Sequence, residues 1–135
     1  MKKPGSIFIA EDAVSGSGLY LIYKTLSPQG KLTTPEAVIQ AALAGQDAVA
    51  AKTLDQFISW LARISGDAAM ALQARGGVYL AGGIAPSIID KLKSGPFRAI
   101  FEDKGKLSDI MRPIPVYVIV DRFPAFKGCA ASLAQ

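Results

Sequence analysis

Apolar and polar positions recur along this chain in blocks that predict several helices and two short strands. The longest block covers residues 46–74, where apolar side chains recur at steps of three and four residues. This spacing places them on one face of a long helix, and we expect that face to lie in the core. Its members are Leu54, Phe57, Leu61, Ile64, Ala68 and Leu72. Gly66 on the same helix would let a neighbouring element approach closely.

Two apolar runs are typical of strands. Val78–Leu80 lies between two pairs of glycines, which predicts a short buried strand. Residues 116–120 are apolar throughout, as in a parallel strand that is buried on both faces. Two strands among several helices indicate an α/β fold with an incomplete sheet, because a parallel pair leaves edges and faces uncovered. We expect residues 1–135 to form a single domain that is part of something larger.

A glycine turn follows the first predicted strand. Gly82 and Gly83 lack a Cβ, so the backbone there can adopt positive φ and a ligand can lie directly against it. Pro86 then predicts the start of a helix over residues 87–93. A strand, a glycine turn and a helix start together can hold an anionic or planar ligand. Such turns also serve only to reverse the chain, and this stretch alone leaves both interpretations open.

Two further stretches carry signals for helix starts. Residues 11–18 are acidic and then rich in serine and glycine, and they precede a helical pattern over residues 19–26. Either Ser15 or Ser17 would cap that helix, and the adjacent glycines would let the backbone turn sharply. Thr34-Pro35-Glu36 combines a threonine cap, a proline and an early carboxylate, which predicts a helix from there to residue 43.

Composition and charge narrow the classes of function. Half of the residues are hydrophobic, yet there is no uninterrupted apolar run of about 18 residues, so we expect a soluble, cytoplasmic protein with no membrane partner. One cysteine and no histidine exclude an ordinary structural zinc site. The net charge of +4 comes from scattered side chains, which does not favour nucleic-acid binding. Glu102, Asp103 and Lys104 form a charged run that we expect to be a solvated loop.

Four segments in register resemble the C-terminal part of bacterial glucokinase. They are residues 11–19 (EDAVSGSGL), 76–86 (GGVYLAGGIAP), 97–105 (FRAIFEDKG) and 114–120 (IPVYVIV). The resemblance implies the actin-like ATPase fold, in which two ribonuclease-H-like lobes close on ATP and glucose. It also implies phosphorylation of glucose at its 6-hydroxyl by ATP, with Mg²⁺ accompanying the nucleotide, as an entry to glycolysis.

The resemblance assigns roles to a few residues. Glu11 matches the family's glutamate that accepts hydrogen bonds from glucose hydroxyls, a task that suits an acceptor-only carboxylate. Ser15 and Gly16 match the glycine-containing link that follows this glutamate, and we expect them to contact the nucleotide. Gly82 and Gly83 match the adenosine motif, where bare backbone lets the nucleotide approach.

Other features of the family are missing from the chain. The family has two phosphate-binding loops, a catalytic base in an Asn-Asp pair and a sugar-binding histidine, whereas this sequence contains neither asparagine nor histidine. We therefore expect a C-terminal fragment that is inactive alone and can associate with itself through the uncovered edge of its first strand. The alternative is a non-catalytic sugar- or nucleotide-binding module of a regulator, since fold does not fix function.

Overall fold

A computed structural model describes residues 9–121 and 123–134 of the chain. Within these ranges helices dominate, and the longest α-helix has 24 residues. None of the described helices combines the length and apolar character needed to cross a bilayer. The elements are α1 (Gly16–Leu26), α2 (Pro35–Leu43), α3 (Ala48–Ala71), β1 (Val78–Leu80), α4 (Ile84–Ser87), α5 (Ile89–Ser94), α6 (Phe97–Glu102), α7 (Ser108–Met111), β2 (Val116–Val118) and α8 (Pro124–Leu133), with 3₁₀ turns at Ala10–Asp12 and Gly105–Leu107.

Helix α3 is the centre of the fold. The carboxylate of Asp47 caps its start by accepting hydrogen bonds from the backbone N–H groups of Val49 and Ala50, at 2.8 and 2.9 Å. Helices α1, α2 and α6 pack around α3. The largest fully buried side chains around it come from all four helices and from α7, and include Leu19, Tyr23, Leu54, Phe57, Phe101 and Met111. The hydrophobic effect at this junction is the main source of stability.

The predicted core face of α3 is correct in its first half and wrong in its second. Leu54 and Phe57 are buried, whereas Ala68 is exposed and Leu72 has 78% of its surface exposed. Leu72 lies beyond the end of α3, so it follows the helical spacing without facing another element. Near its C-terminus α3 instead buries Ser65 and Ala69.

Helix α6 packs against α3 at Gly66. The close approach of a neighbouring element at this glycine was predicted from the sequence. The charged run that begins at the last residue of α6 is not simply a solvated loop. The side chain of Lys104 is only 5% exposed, and its Nζ lies 2.7 Å from a carboxylate oxygen of Asp67 on α3. Glu102 forms an ion pair with Arg98 one turn earlier on α6. The prediction was wrong for these two residues because α6 turns the run toward α3.

The two strands pair in parallel, with Val78 opposite Val116 and Leu80 opposite Val118. The N–H of Val78 donates to the carbonyl of Pro115, and the N–H of Ile119 donates to the carbonyl of Leu80, each at 2.9 Å. The predicted helix-rich α/β architecture with two parallel strands in an incomplete sheet is thereby confirmed.

The sheet is buried on one face only. Leu80 is buried, but Tyr79 and Tyr117 point to the opposite face, with 61% and 46% of their surfaces exposed. Their rings stack with centroids 4.9 Å apart. The predictions of a buried first strand and of a second strand buried on both faces were therefore wrong for this face. In the described part of the chain, no helix covers it.

The helix after the glycine turn starts earlier than predicted. Helix α4 begins at Ile84, directly after Gly83, and contains Pro86 instead of starting from it. Proline is tolerated there because the first N–H groups of a helix have no intrahelical acceptor. Ile88 interrupts the helix with φ −116° and ψ 17°, and α5 continues from Ile89.

Candidate functional site

Four of the five predicted site residues line one cleft. Ser15 and Gly16, at the start of α1, face the glycine turn Gly82-Gly83 at the exit of β1 across a cavity of about 590 Å³. Helix α2 forms a third wall. The remaining lining residues are Val14, Glu36, Ile39, Gln40, Ala81, Ile84 and Ser87.

Ser15 holds the α1 wall in place. Its Oγ accepts a hydrogen bond from the N–H of Gly18 at 3.1 Å, which makes Ser15 the N-cap of α1. A methyl group on Gly18 would lie 2.4 Å from the carbonyl oxygen of Asp12, so only glycine lets α1 pack this closely on the preceding 3₁₀ turn. The serine- and glycine-rich stretch is thus the first turn of a helix, and not the sharp reversal that we predicted.

The glycine turn presents bare backbone to the cleft. Gly82 has φ +109°, a conformation that strongly favours glycine, whereas Gly83 has φ −75° and ψ −23°. A methyl group on either residue would meet no atom within 4 Å. Both glycines therefore border open space, which is the arrangement needed for a ligand to approach the main chain.

The polar groups of the α2 wall were not identified as site residues from the sequence. Glu36 and Gln40 lie one turn apart on α2, and both line the cleft with exposed side chains. Thr34 positions them, because its Oγ1 accepts a hydrogen bond from the N–H of Ala37 at 3.1 Å and starts the helix. The sequence showed Glu36 only as part of a helix-start signature. Its place opposite Gly82 follows from the packing of α2 against α1 and α3.

Glu11, the fifth predicted residue, is exposed on the 3₁₀ turn before α1 and does not line this cleft. Its neighbour Asp12 accepts a hydrogen bond from the N–H of Ile9 at 2.8 Å, which fixes the turn. The turn joins α1 just ahead of Ser15. The structure thus keeps Glu11 apart from the residues predicted to contact the nucleotide.

The charges of the cleft limit what it can bind. Among the described residues that line it, Glu36 is the one charged side chain, and no lysine or arginine is present. Val14, Ile39 and Ile84 give the cleft apolar surface. Such a site suits a flat, uncharged group with a few hydroxyls and offers no cation to a triphosphate.

The described residues also contain no group of three or more Asp, Glu, Cys or His side chains that could hold a metal ion. The cleft contributes one carboxylate, and proteins usually hold Mg²⁺ with one or two carboxylates only together with phosphate oxygens of a ligand. The described residues thus offer no donor set that would hold Mg²⁺ by itself.

Comparisons with known proteins show which family the chain resembles. The sequence model of the glucokinase family matches residues 2–135. Glucokinase from Campylobacter jejuni subsp. doylei is 43% identical over 136 residues, which cover 98% of this chain and 41% of the relative. Glucokinase from Helicobacter pylori is 42% identical over 134 residues, which cover 92% of this chain and 40% of the relative.

A solved structure is similar as well. The crystal structure of glucokinase from an Antarctic psychrotroph superposes with a TM-score of 0.82 at 30% identity, covering 92% of this chain and 40% of that one. The predicted fold and the resemblance to the C-terminal part of bacterial glucokinase are confirmed. The chain spans about two fifths of the length of the relatives it matches. This chain belongs to the glucokinase family.

Proposed function

We propose that this chain acts as part of an ATP-dependent glucokinase and supplies the surface on which the nucleoside end of ATP lies. In that reaction the oxygen of the glucose 6-hydroxyl bonds to the γ-phosphorus of ATP. The bond from this phosphorus to the bridging oxygen breaks, and the hydroxyl proton is released. The products are glucose 6-phosphate and ADP. Mg²⁺ bound to the nucleotide would supply charge neutralisation at the phosphates.

The observation that supports this proposal is the cleft between Ser15-Gly16 and Gly82-Gly83. Bare backbone on one side and apolar side chains beside it can hold a nucleoside in a fixed orientation. Holding the nucleotide in one orientation contributes much of the rate of phosphoryl transfer, because the protein mainly positions the reacting groups and stabilises charge.

We further propose that Glu11 contributes one ligand for glucose and that the chain alone is inactive. The turn carrying Glu11 leads into α1, so a sugar bound there would be linked to the nucleotide cleft through one short segment of the chain. The described lining of the cleft has no cation for the phosphates, and the sequence contains no Asn-Asp pair to supply the base.

A coupled assay tests the inactivity directly. The purified chain should form no glucose 6-phosphate from glucose and Mg-ATP above the rate of a protein-free blank. Measurable turnover that disappears in Glu11→Gln would contradict the proposed inactivity while supporting the sugar role of Glu11. The alternative of a regulator's binding module is not favoured, because the relatives compared are glucokinases.

We also propose that the chain resides in the cytoplasm.

A separate proposal is that the chain can self-associate through the uncovered edge of β1. β1 pairs with β2 on one side, and no other described strand pairs with it. Unpaired strand edges offer backbone groups to another chain. Sedimentation velocity over a hundredfold concentration range should show a growing dimer fraction, and a strictly monomeric species would contradict self-association.

A further inference from the structure

We infer that Glu36 is the ribose ligand of the cleft, an inference that rests on the proposed nucleotide role of this surface. A carboxylate can accept two hydrogen bonds at once, so that of Glu36 matches the vicinal 2′- and 3′-hydroxyls of a ribose. This assignment orients the nucleotide, because it fixes which end of the ligand lies against α2.

The surroundings of Glu36 leave its carboxylate available. The residue is exposed at the first turn of α2, and it forms no ion pair or side-chain hydrogen bond with another described residue. Several other acids of the chain are engaged; for example, Asp47 caps α3 and Asp67 pairs with Lys104. A carboxylate facing a cleft without a protein donor is ready to accept hydrogen bonds from a ligand.

The sign of the charge excludes the phosphates from this position. Glu36 carries the one formal charge among the described lining residues, so a polyphosphate placed beside it would be repelled with no lysine or arginine to offset the repulsion. The phosphates must then leave the cleft away from α2. The donors that adenosine offers to a carboxylate are its ribose hydroxyls and its 6-amino group, and the vicinal hydroxyls match both carboxylate oxygens at once.

Glucose also has vicinal hydroxyls, so Glu36 could bind either glucose or the ribose of a nucleotide. The residues that line the cleft favour the ribose. Val14 and Ile84 line the cleft with half-buried apolar side chains, and the buried Ile39 on α2 closes the floor between them and Glu36. A nucleoside can lay its flat base on such residues and keep its hydroxyls at the ribose end, whereas a hexose carries hydroxyls around its whole ring and needs polar partners on several sides. We therefore assign Glu36 to ribose.

The experiment follows the amide NMR signals of Gly82 and Gly83 in the complete chain during titration with adenosine, 2′-deoxyadenosine and glucose. The wild type should bind adenosine about tenfold more tightly than 2′-deoxyadenosine, as expected for the loss of one hydrogen bond to a charged group. Glu36→Gln should weaken adenosine binding and reduce that preference. Asp55→Asn removes the same charge from an exposed site on α3, outside the cleft lining, and should change neither.

The preference for the 2′-hydroxyl separates a ligand role from a structural one. Loss of helix stability alone would weaken both nucleosides equally. If adenosine shifts the Gly82 and Gly83 signals but Glu36→Gln binds it like the wild type, the ribose assignment is wrong and the nucleotide cleft stands. Displacement of adenosine by glucose, or tighter Mg-ATP binding in Glu36→Gln, would also overturn the assignment. If neither adenosine nor Mg-ATP shifts these signals, both the proposed nucleotide cleft and the ribose assignment of Glu36 are wrong.

Discussion

A methyl group on Gly66 of α3 would lie 2.5 Å from the carbonyl oxygen of Phe101 on α6. It would also lie 2.9 Å from Cε of Lys104. No real Cβ tolerates such an approach to a backbone oxygen, so α6 must move if Gly66 acquires a side chain. This glycine therefore sets the distance between the two helices.

We expect Gly66→Ala to lower the free energy of unfolding by about 1–3 kcal/mol, because overpacking outweighs the gain in helix propensity of about 1 kcal/mol. Urea denaturation followed by circular dichroism measures the change. Gly128→Ala is the matched control, since a methyl group there meets nothing within 4 Å on α8. The control should be neutral or slightly stabilising, and equal stability of the two variants would contradict the close-approach argument.

Lys104 should contribute more to the free energy of unfolding than a lysine in a solvated loop would. Its stem packs at Gly66 and its ammonium pairs with Asp67, so Lys104→Ala should cost about 1–2 kcal/mol of unfolding free energy. Lys104→Met keeps most of the stem and should cost less. The control Lys106→Ala alters an exposed lysine and should stay within about 0.5 kcal/mol of the wild type. If Lys106→Ala lowers the free energy of unfolding as much as Lys104→Ala does, the burial of the Lys104 side chain does not explain its effect.

The cap of α1 supports one wall of the cleft. Ser15→Ala removes the acceptor for the N–H of Gly18 and should cost about 1 kcal/mol of unfolding free energy. Ser59→Ala is the control, because Ser59 lies inside α3 and its Oγ donates to the carbonyl of Asp55 without capping a terminus. Chemical denaturation of both variants gives the comparison. Unchanged stability in Ser15→Ala would mean that the start of α1 does not depend on this cap.

Asp121 gives a prediction about pH. The hydrogen bond from Lys127, then the N–H of Phe123, lower the pKa of the Asp121 carboxyl below its ordinary value. Because the pKa is lower in the folded state, the contribution of this contact is complete above the unfolded pKa of about 4 and is lost as the pH falls through the folded pKa. A ¹³C NMR titration should show the low midpoint. Lys127→Met should raise it and Lys106→Met should leave it unchanged; an unaltered midpoint in Lys127→Met would refute the assigned cause.

The sequence predicts local structure well where one residue determines it. The Thr34-Pro35 signature starts α2 as expected, and the two apolar runs do form paired strands. Errors arise where tertiary packing decides. Leu72 continues the helical spacing but is left exposed beyond the end of α3, and Lys104 lies in a charged run yet becomes buried because α6 directs it toward α3.

The candidate site shows the same contrast between residues with a local sequence signal and residues placed by tertiary packing. Gly82 and Gly83 stand out in the sequence because bare backbone after a strand is a local signal. Glu36 does not, since its signature is that of a helix start and its position in the cleft depends on how α2 packs. An acid at the start of a helix that also lies near a glycine turn is recognisable only after the fold is known.

The central claim is that the Gly82-Gly83 turn carries the nucleoside end of ATP, and Gly83→Ala tests it most directly. Gly83 has ordinary helical backbone angles and open space at its Cβ, so this change should leave stability unaltered while placing a methyl group where the ligand lies. Isothermal titration with Mg-ATP, with and without glucose, should show saturable binding to the wild type and at least about tenfold weaker binding to the variant, the loss expected when misfit removes about 1.4 kcal/mol. Absence of binding to the wild type, or equal binding by both proteins, would contradict the claim.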